Sequence, residues 1–452
     1  MPTSFTYRHR SYLHLDLPLN RSSAEALVTS ADRVAQHAFF PFIFSVVVSR
    51  KFGRLESGRY GLKPPKSRVI AYAAHADSHI FAHYSDILSE RYETALANRG
   101  LDQCVTAFRK LGGRSNVHHA KEVFEFIESR PTCSALAMDV SDFFGNLDHT
   151  LLKQAWSNSL GGQRLPSDHF AVFKAITRYC QIERNALFDA VHIPKHNPRS
   201  LGPHRLPLLD RAGNFTVEDN PNRLCPPHRF REWVRKKGLL QINTSSKGIP
   251  QGSPISAVLA NIYMLEMDAA LNAFASSHGG LYRRYCDDIL MVMPSDELRD
   301  DAEREVMSWL AQLRLQVNPA KTDRISFAAQ RLISGEPLQY LGFTFDGKHR
   351  RLRPSSLARF YQRMRAGIRH ALQQRAKADE SSGAETPSPL KRKLLYRRYS
   401  YLGPLLGKTK EERRNFLSYA YRAARIMGDR GIKKQVKNHW RKLRAEIEAA
   451  TS

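Results

Sequence analysis

The chain has 452 residues, 42% of them hydrophobic, and carries 70 Lys and Arg against 43 Asp and Glu for a formal net charge of +27. That length accommodates two or three domains, or one large core with appendages. The longest apolar run, Phe39 to Val48, is interrupted by Pro41 and Ser45, far short of the roughly 20 residues of a membrane-spanning helix.

Met1 to Arg10 holds no apolar signal core, and the five cysteines (Cys104, Cys133, Cys180, Cys225 and Cys286) form no CxxC pair. These features predict a cytoplasmic chain with no membrane association, no disulfide framework and no zinc ribbon. Solubility asks for a net charge of only about 2 to 8, so the excess points to a polyanionic partner. From Asp346 to Ser452 there are 28 Lys and Arg against 9 acids, which places a nucleic-acid grip at the C-terminus.

No internal repeat is visible. His75, His79 and His83 are four apart and share one face if HADSHIFAH is helical. No cysteine or suitably placed acid joins them, so packing or RNA contact outranks a zinc site. Leu136 to His149 (LAMDVSDFFGNLDH) starts as a short apolar strand that delivers Asp139 at its end, followed by Phe143 and Phe144. Asp142 reads as a loop residue and Asp148 as a surface residue. From about Val191 to Arg231, Pro194, Pro198, Pro203, Pro207, Pro221, Pro226 and Pro227 rule out regular structure across most of the stretch, an insertion in a loop.

Leu281 to Met293 (LYRRYCDDILMVM) reads as a β-hairpin with Asp287 and Asp288 at its tip. Tight hairpins favour Gly or Asn there, and adjacent carboxylates repel unless a cation lies between them. Hard divalent cations such as magnesium take such oxygen ligands. With Asp139 alongside, the three acids make a candidate two-metal site. Leu357, Phe360, Tyr361, Met364, Ile368 and Leu372 keep helical spacing, with Arg359, Arg363, Arg365 and Arg369 off that stripe. Lys377 to Pro389 reads as a linker or exposed loop. Ile432, Val436, Trp440, Leu443 and Ile447 repeat the helical pattern.

Over about Lys63 to Phe345 the order of blocks resembles that of reverse transcriptases. Asp139 with Phe144 is similar to their first palm motif, and Gln251-Gly252-Ser253-Pro254-Ile255-Ser256 with Leu259, Asn261 and Tyr263 to their second. Tyr285-Cys286-Asp287-Asp288 is similar to the third, and Asn318-Pro319-Ala320-Lys321 to the fourth. Leu338 to Phe343 resembles the turn that grips the primer end.

The resemblance implies roles. Asp139, Asp287 and Asp288, with the carbonyl of Val140, would bind two Mg2+ ions, and Lys321 would act on pyrophosphate as a catalytic cation. Backbone around Asp142 and Phe143 would face the triphosphate of the dNTP, Phe144 would lie under its sugar and exclude a 2′-hydroxyl, and Gln251 would line the nucleotide. Lys66 and Arg68, with Lys63 as a further candidate, would hold the triphosphate. Gly252, Tyr285, Leu341 and Gly342 would contact primer and template.

The implied fold is α+β: a right-hand polymerase with a ferredoxin-like palm, mixed fingers and an α-helical thumb and C-terminal region. Fingers and N-terminal region would occupy 1–130, the palm 131–345 with the Pro-rich insertion at about 191–231, and the basic helical thumb and tail 346–452. The implied activity is RNA-directed DNA synthesis from dNTPs, giving cDNA. Phe144, where viral RNA polymerases carry an acid, argues against an RNA-making enzyme. The VTG signature of retron enzymes is absent. HLDLPL, AFRKLGGRSNVHHAKEVFEFIESR and RRYSYLG resemble bacterial defence-associated reverse transcriptases, most closely the type 2 group. That implies antiviral defence and a dedicated structured noncoding RNA as template, with no protein partner. A group II intron-like or other domesticated enzyme and an inert RNA-binding scaffold are the alternatives.

Overall fold

The computed structural model describes all residues except 1–4, 11, 50–51, 55–59, 63, 192–222, 384–385, 407–408, 410–413 and 452. Lys63 and most of the Pro-rich stretch therefore lie outside the described residues.

At the centre lies a five-stranded sheet. Its middle strand, Thr132–Asp139, pairs antiparallel with Asp288–Met293 on one side and Asp323–Ala328 on the other. Leu281–Tyr285 adds beyond the first neighbour and Arg331–Ser334 beyond the second. Helices separate the first strand from the hairpin (Ser256–Tyr263 and Leu265–Ser277) and the hairpin from Asp323–Ala328 (Asp296–Gln312). Taken without Arg331–Ser334, the strands run β-α-β-β-α-β in spatial order 4-1-3-2, the ferredoxin-like arrangement.

Alternation along these strands assigns each side chain to a face. Leu136, Met138, Ile289 and Met291 join the core formed with the helices Ser256–Tyr263, Leu265–Ser277 and His75–Asn98. Cys133, Ala135, Leu290 and Val292 face a second core, shared with the helix Asn116–Glu128, the three-stranded sheet Leu338–Tyr340, Phe343–Phe345 and Arg350–Leu352, and the helix Phe416–Met427. Both faces are covered, so the runs LAM and ILMVM are continuously apolar rather than alternating with polar residues.

A four-stranded sheet includes Phe42–Ser49 and Lys66–Tyr72, paired from Ile43↔Tyr72 to Ser49↔Lys66. The helix that follows, His75–Asn98, has Ala74 at its N-cap and no side-chain cap of its own. Asp16 supplies one from 59 residues away. Its carboxylate accepts from the N–H groups of His75 at 3.0 Å and Ala76 at 2.9 Å, and from His75 Nδ1 at 2.7 Å, occupying orphan donors of the first turn. His75 is thereby committed to Asp16 and to the Tyr12 carbonyl, while His79 stacks on Tyr7.

Three sequence expectations change. The helix Pro354–Ser382 runs six residues into the segment read as a linker, because Lys377 to Glu380 are helix-compatible and the chain stops only at Gly383, whose φ is +64°. The Ile432–Ile447 pattern is two helices, Arg430–Val436 and His439–Thr451, rather than one. After the Pro-rich stretch, Pro227–Phe230 and Arg231–Arg235 are helical, and Leu224, Cys225 and Val234 are buried against Ile43 and Ile182. Among the described residues no helix is long and apolar enough to cross a membrane.

Candidate active site

Asp139 is the last residue of the central strand and Asp288 the first of its neighbour, and they are direct cross-strand partners. Residues so paired point to the same face with Cβ atoms about 4.5–5.5 Å apart. Asp287 is in the turn: Tyr285 pairs with Asp288, so the two-residue loop is Cys286-Asp287, and Asp288 sits on the strand rather than at the tip. The Asp287 carbonyl accepts the Val140 N–H at 3.1 Å, and the Asp139 carbonyl accepts the Asn318 N–H at 2.8 Å. The turn, the strand end and the Asn318 to Lys321 loop are thus tied together by backbone bonds.

Cys286 has φ +60°, a conformation that two-residue hairpins usually assign to glycine. A buried polar group holds it. Arg284, fully buried, donates from Nη1 to the Cys286 carbonyl at 3.0 Å and to Asn261 Oδ1 at 3.2 Å. Its Nε and Nη2 grip Asp268 bidentately at 2.7 and 2.6 Å, and the Tyr282 hydroxyl adds a bond to Asp268 at 2.7 Å. Burial alone would lower the Arg284 pKa; the Asp268 carboxylate overrides it, and the net shift is upward. The Cys286-Asp287 turn therefore rests on a closed, desolvated ion pair.

The residues expected on the nucleotide side are stitched to one another. Asp142 has φ +42° and caps the short helix Phe143–Asn146, with its carboxylate folded over Gly145, where a Cβ would collide with it. Phe143 is buried in the main core, whereas Phe144 is half-buried against it. The Phe143 side chain is thus a packing group, which leaves its backbone as the part expected to face the dNTP. The Phe144 carbonyl accepts the Ile249 N–H at 2.9 Å, and the Gln251 carbonyl accepts the Ala71 N–H at 2.8 Å. Gly252, with φ +115°, lies so close to the Ala71 carbonyl that no side chain fits. Phe144, Gln251, Gly252 and the strand bearing exposed Lys66 and Arg68 thereby share one wall. Tyr285 is half-buried beside the turn.

Burial pushes the Asp288 pKa up to about 6, the negative charges of Asp287 and Asp139 push further, and Lys321 and Arg353 oppose them. Asp288 is nevertheless exposed to water at the end of its strand. The Lys321 ammonium forms an ion pair with Asp139 Oδ1. Leu341 (φ +46°) and Gly342 (φ +93°) form the turn between Leu338–Tyr340 and Phe343–Phe345. Asn116 donates to the Leu341 carbonyl at 2.9 Å, and the Arg353 N–H to the Gly342 carbonyl at 3.0 Å.

The donor set suits a hard divalent cation: neighbouring carboxylates, of which Asp288 has a raised affinity for protons, with a lysine ammonium already against Asp139. Among the described residues, however, no three His, Cys, Asp or Glu side chains converge as a metal-holding cluster. The convergence expected of Asp139, Asp287 and Asp288 is incomplete in this conformation, with Asp139 bonded to Lys321. Asp148 also differs from expectation. It is buried, caps the helix His149–Ser159 through the N–H groups of Thr150 and Leu151, and pairs with Arg314 at 2.7 Å. Sequence reasoning passed over Arg284 and Asp268, whose only signal was a double arginine immediately ahead of the YCDD box.

Residues 214–345 match the family model described as Reverse transcriptase (RNA-dependent DNA polymerase). The Escherichia coli protein "Retron Ec86 reverse transcriptase" is 31% identical over 87 residues, which are 19% of this chain and 27% of that protein. The chain thus spans about a quarter of that relative's length. Among solved structures, apo telomerase from Candida tropicalis, truncated from its C-terminal domain, gives a TM-score of 0.41 at 9% identity, covering 74% of this chain and 60% of that one. Telomerase from Candida albicans, in complex with a fragment of telomeric RNA, gives 0.40 at 12% identity, covering 91% and 57%. The family match includes Asp287, Asp288 and Lys321 but not Asp139; what joins Asp139 to them is the register of the sheet.

Proposed function

We propose that the chain is an RNA-directed DNA polymerase, with the five-stranded sheet as palm, the N-terminal region to about 130 as fingers and the basic helices after 345 as thumb and tail. The observation that carries this reading is the Asp139↔Asp288 pairing, with Asp287 in the adjoining turn, inside a chain whose residues 214–345 match the reverse transcriptase family model. Asp139, Asp287 and Asp288, with the Val140 carbonyl, would hold two Mg2+ ions, which when bound activate a 3′-hydroxyl and stabilise the leaving pyrophosphate.

The remaining work falls to the protein's own groups. Lys321, ion-paired with Asp139, brings a mobile positive charge to the place where pyrophosphate charge develops. Arg68 and Lys66, exposed on the strand beside Gln251, would bind the triphosphate. Phe144 would fill the space beneath the sugar, leaving a 2′-hydroxyl no partner. Leu341 and Gly342 would seat the primer end, and Tyr285 and Gly252 would border primer and template. The template is proposed to be a structured noncoding RNA copied in bacterial antiviral defence, on the likeness to type 2 defence-associated enzymes.

The test is primer extension with dNTPs on an RNA template. The unmutated chain should extend the primer. Asp287→Ala/Asp288→Ala should not, while binding the same RNA equally well. Extension by the double variant in magnesium would remove the metal-site assignment.

A further inference from the structure

The helix Pro354–Ser382, the end of the helix Arg392–Tyr399 and the start of the helix Phe416–Met427 enclose a cavity of about 520 Å3. Arg359, Arg363, Arg397, Arg398 and Arg414 line it, and among the described residues no acid does. Arg359, Arg363, Arg398 and Arg414 make no ion pair among the described residues. Acids do reach some neighbouring arginines: Arg365, on the same helix, pairs with Glu446, and Arg351 pairs with Asp346. Like charges gathered within about one Debye length of roughly 8–10 Å repel one another unless an anion lies among them.

Aromatic rings complete the lining. Phe360 and Phe416 stack with centroids 4.7 Å apart, and Tyr399 lies across Phe360 at 6.3 Å. Phe360 is buried, while Tyr399 and Phe416 are half-buried and face the cavity. The first turn of the helix Phe416–Met427 bears no acid, so its partial positive charge adds to that of the arginines. The cavity also lies close to the catalytic acids: the helix Pro354–Ser382 begins directly after Arg353, whose charge acts on Asp288. From Ser356 to Arg363 it advances about 10 Å at roughly 1.5 Å per residue.

The geometry points to a binding site for an unpaired nucleotide of a nucleic-acid strand, with its flanking phosphates on the arginines and its base against Tyr399 and Phe416. The inference rests on the polymerase reading for its link to the catalytic cleft. A positive groove with aromatic platforms is the pattern of single-strand recognition, because every base offers a π-face once it is unstacked. A duplex presents a convex backbone and no free base face, so it would meet the rim arginines without filling the cavity.

The experiment compares Arg359→Gln/Arg363→Gln/Arg398→Gln with a control of equal charge loss on the same helix, Arg369→Gln/Arg375→Gln/Lys377→Gln. All three cavity positions are exposed, so the fold should tolerate them. Fluorescence anisotropy measures binding of a 12-nucleotide single-stranded RNA, the same sequence in DNA, and a 12-base-pair RNA duplex, without metal or nucleotide. The cavity variant should bind single strands at least tenfold more weakly than the control, and the salt slope should flatten by about 2, at roughly 0.7 per phosphate lost. Duplex binding should fall equally in both variants.

Equal RNA and DNA affinities would make either strand a source of the occupant; a preference for RNA would assign it to the template. Cross-linking of 4-thiouridine RNA to the unmutated protein should map to peptides containing Tyr399 or Phe416. Equal loss of single-strand affinity in both variants, or cross-links elsewhere, would overturn the proposal. Because binding is read without catalysis, failure of the unmutated protein to extend a primer bears on the polymerase reading alone.

Discussion

Asp268→Asn tests whether the Cys286-Asp287 turn depends on its buried ion pair. Asp268 and Arg284 are both 0% exposed at their side chains, so the substitution leaves a guanidinium in a dry interior with its main counter-charge gone. Removing one partner of such a pair costs about 3–5 kcal/mol, mostly from the uncompensated charge. Against a typical stability of about 5–15 kcal/mol, that is a large fraction of the total. It corresponds to a fall in Tm of roughly 6–20 °C, at about 2–4 °C per kcal/mol for domains of 150–250 residues.

A second variant separates stability from turn geometry. Asp268→Leu/Arg284→Met, combined with Tyr282→Phe because that hydroxyl donates to Asp268, removes both charges together. Apolar replacement of a whole buried pair is often neutral or stabilising, so most of the lost Tm should return. Turnover should not, because the Cys286 carbonyl has lost the donor that holds its +60° turn. A displacement of about 1 Å at a catalytic group can cost on the order of 10²-fold. The assays are thermal unfolding and single-turnover primer extension. A Tm change under 1 °C for Asp268→Asn would refute the electrostatic argument. Full turnover in the apolar variant would refute the positioning role of Arg284.

Phe144→Ala should narrow the preference for dNTP over NTP, measured as the ratio of efficiencies on one template; an apolar pocket with spare room rejects an added hydroxyl by only about 10²-fold, and a starting preference for NTPs would replace this reading with an RNA polymerase. Stability should fall on acidification, because burial lowers the His14 pKa to about 3, against an ordinary value of 6.5 in the unfolded chain. The folded state holds the neutral form, so this contribution is complete above pH 6.5 and is lost progressively as pH falls toward 3, by about 2 kcal/mol at pH 5. His14→Phe should remove that part of the difference between unfolding midpoints at pH 7 and pH 5; an unchanged difference would assign the acid sensitivity to other groups.

The sequence singled out Asp139, Asp287 and Asp288 as acids at the ends of apolar runs; the sheet register pairs Asp139 with Asp288, while among the described residues the three form no metal-holding cluster. The ferredoxin-like strand order was reached through the motif resemblance rather than from periodicity. Asp268, Arg284 and Asp148 were not legible. An Asp or Arg in a sequence reads as surface by default, and their burial exists only once distant elements pack. The same holds for Asp16, whose helix begins 59 residues later. The basic C-terminal region looked separable, yet Leu417, Ala420, Ala423 and Met427 share a core with Phe343 and Phe345. Truncation after Lys391 would therefore unpack the sheet as well as remove charge, and point substitutions are the cleaner probe of the grip.

With both faces of the strands Thr132–Asp139 and Asp288–Met293 under apolar cover, polar groups of these two strands meet water mainly at their ends. Asp139 and Asp288 occupy one such end, so their position follows from the packing of Leu136, Met138, Ile289 and Met291 beneath them. The negative charge accumulated there has to be offset, and the fold brings cations to the rim: Lys321 on Asp139, then Arg353 acting on Asp288. From Arg353 the helix Pro354–Ser382 carries the positive field onward to Arg359 and Arg363. A strand of alternating phosphates and bases matches that sequence of charges better than any compact anion, because the positive groups extend along a line away from the acids. A free triphosphate would reach only the first of them. If inorganic triphosphate displaced single-stranded RNA from the arginine cavity as effectively as it displaced dNTP from the cleft, the cavity would be a second anion pocket rather than a continuation of the strand's path.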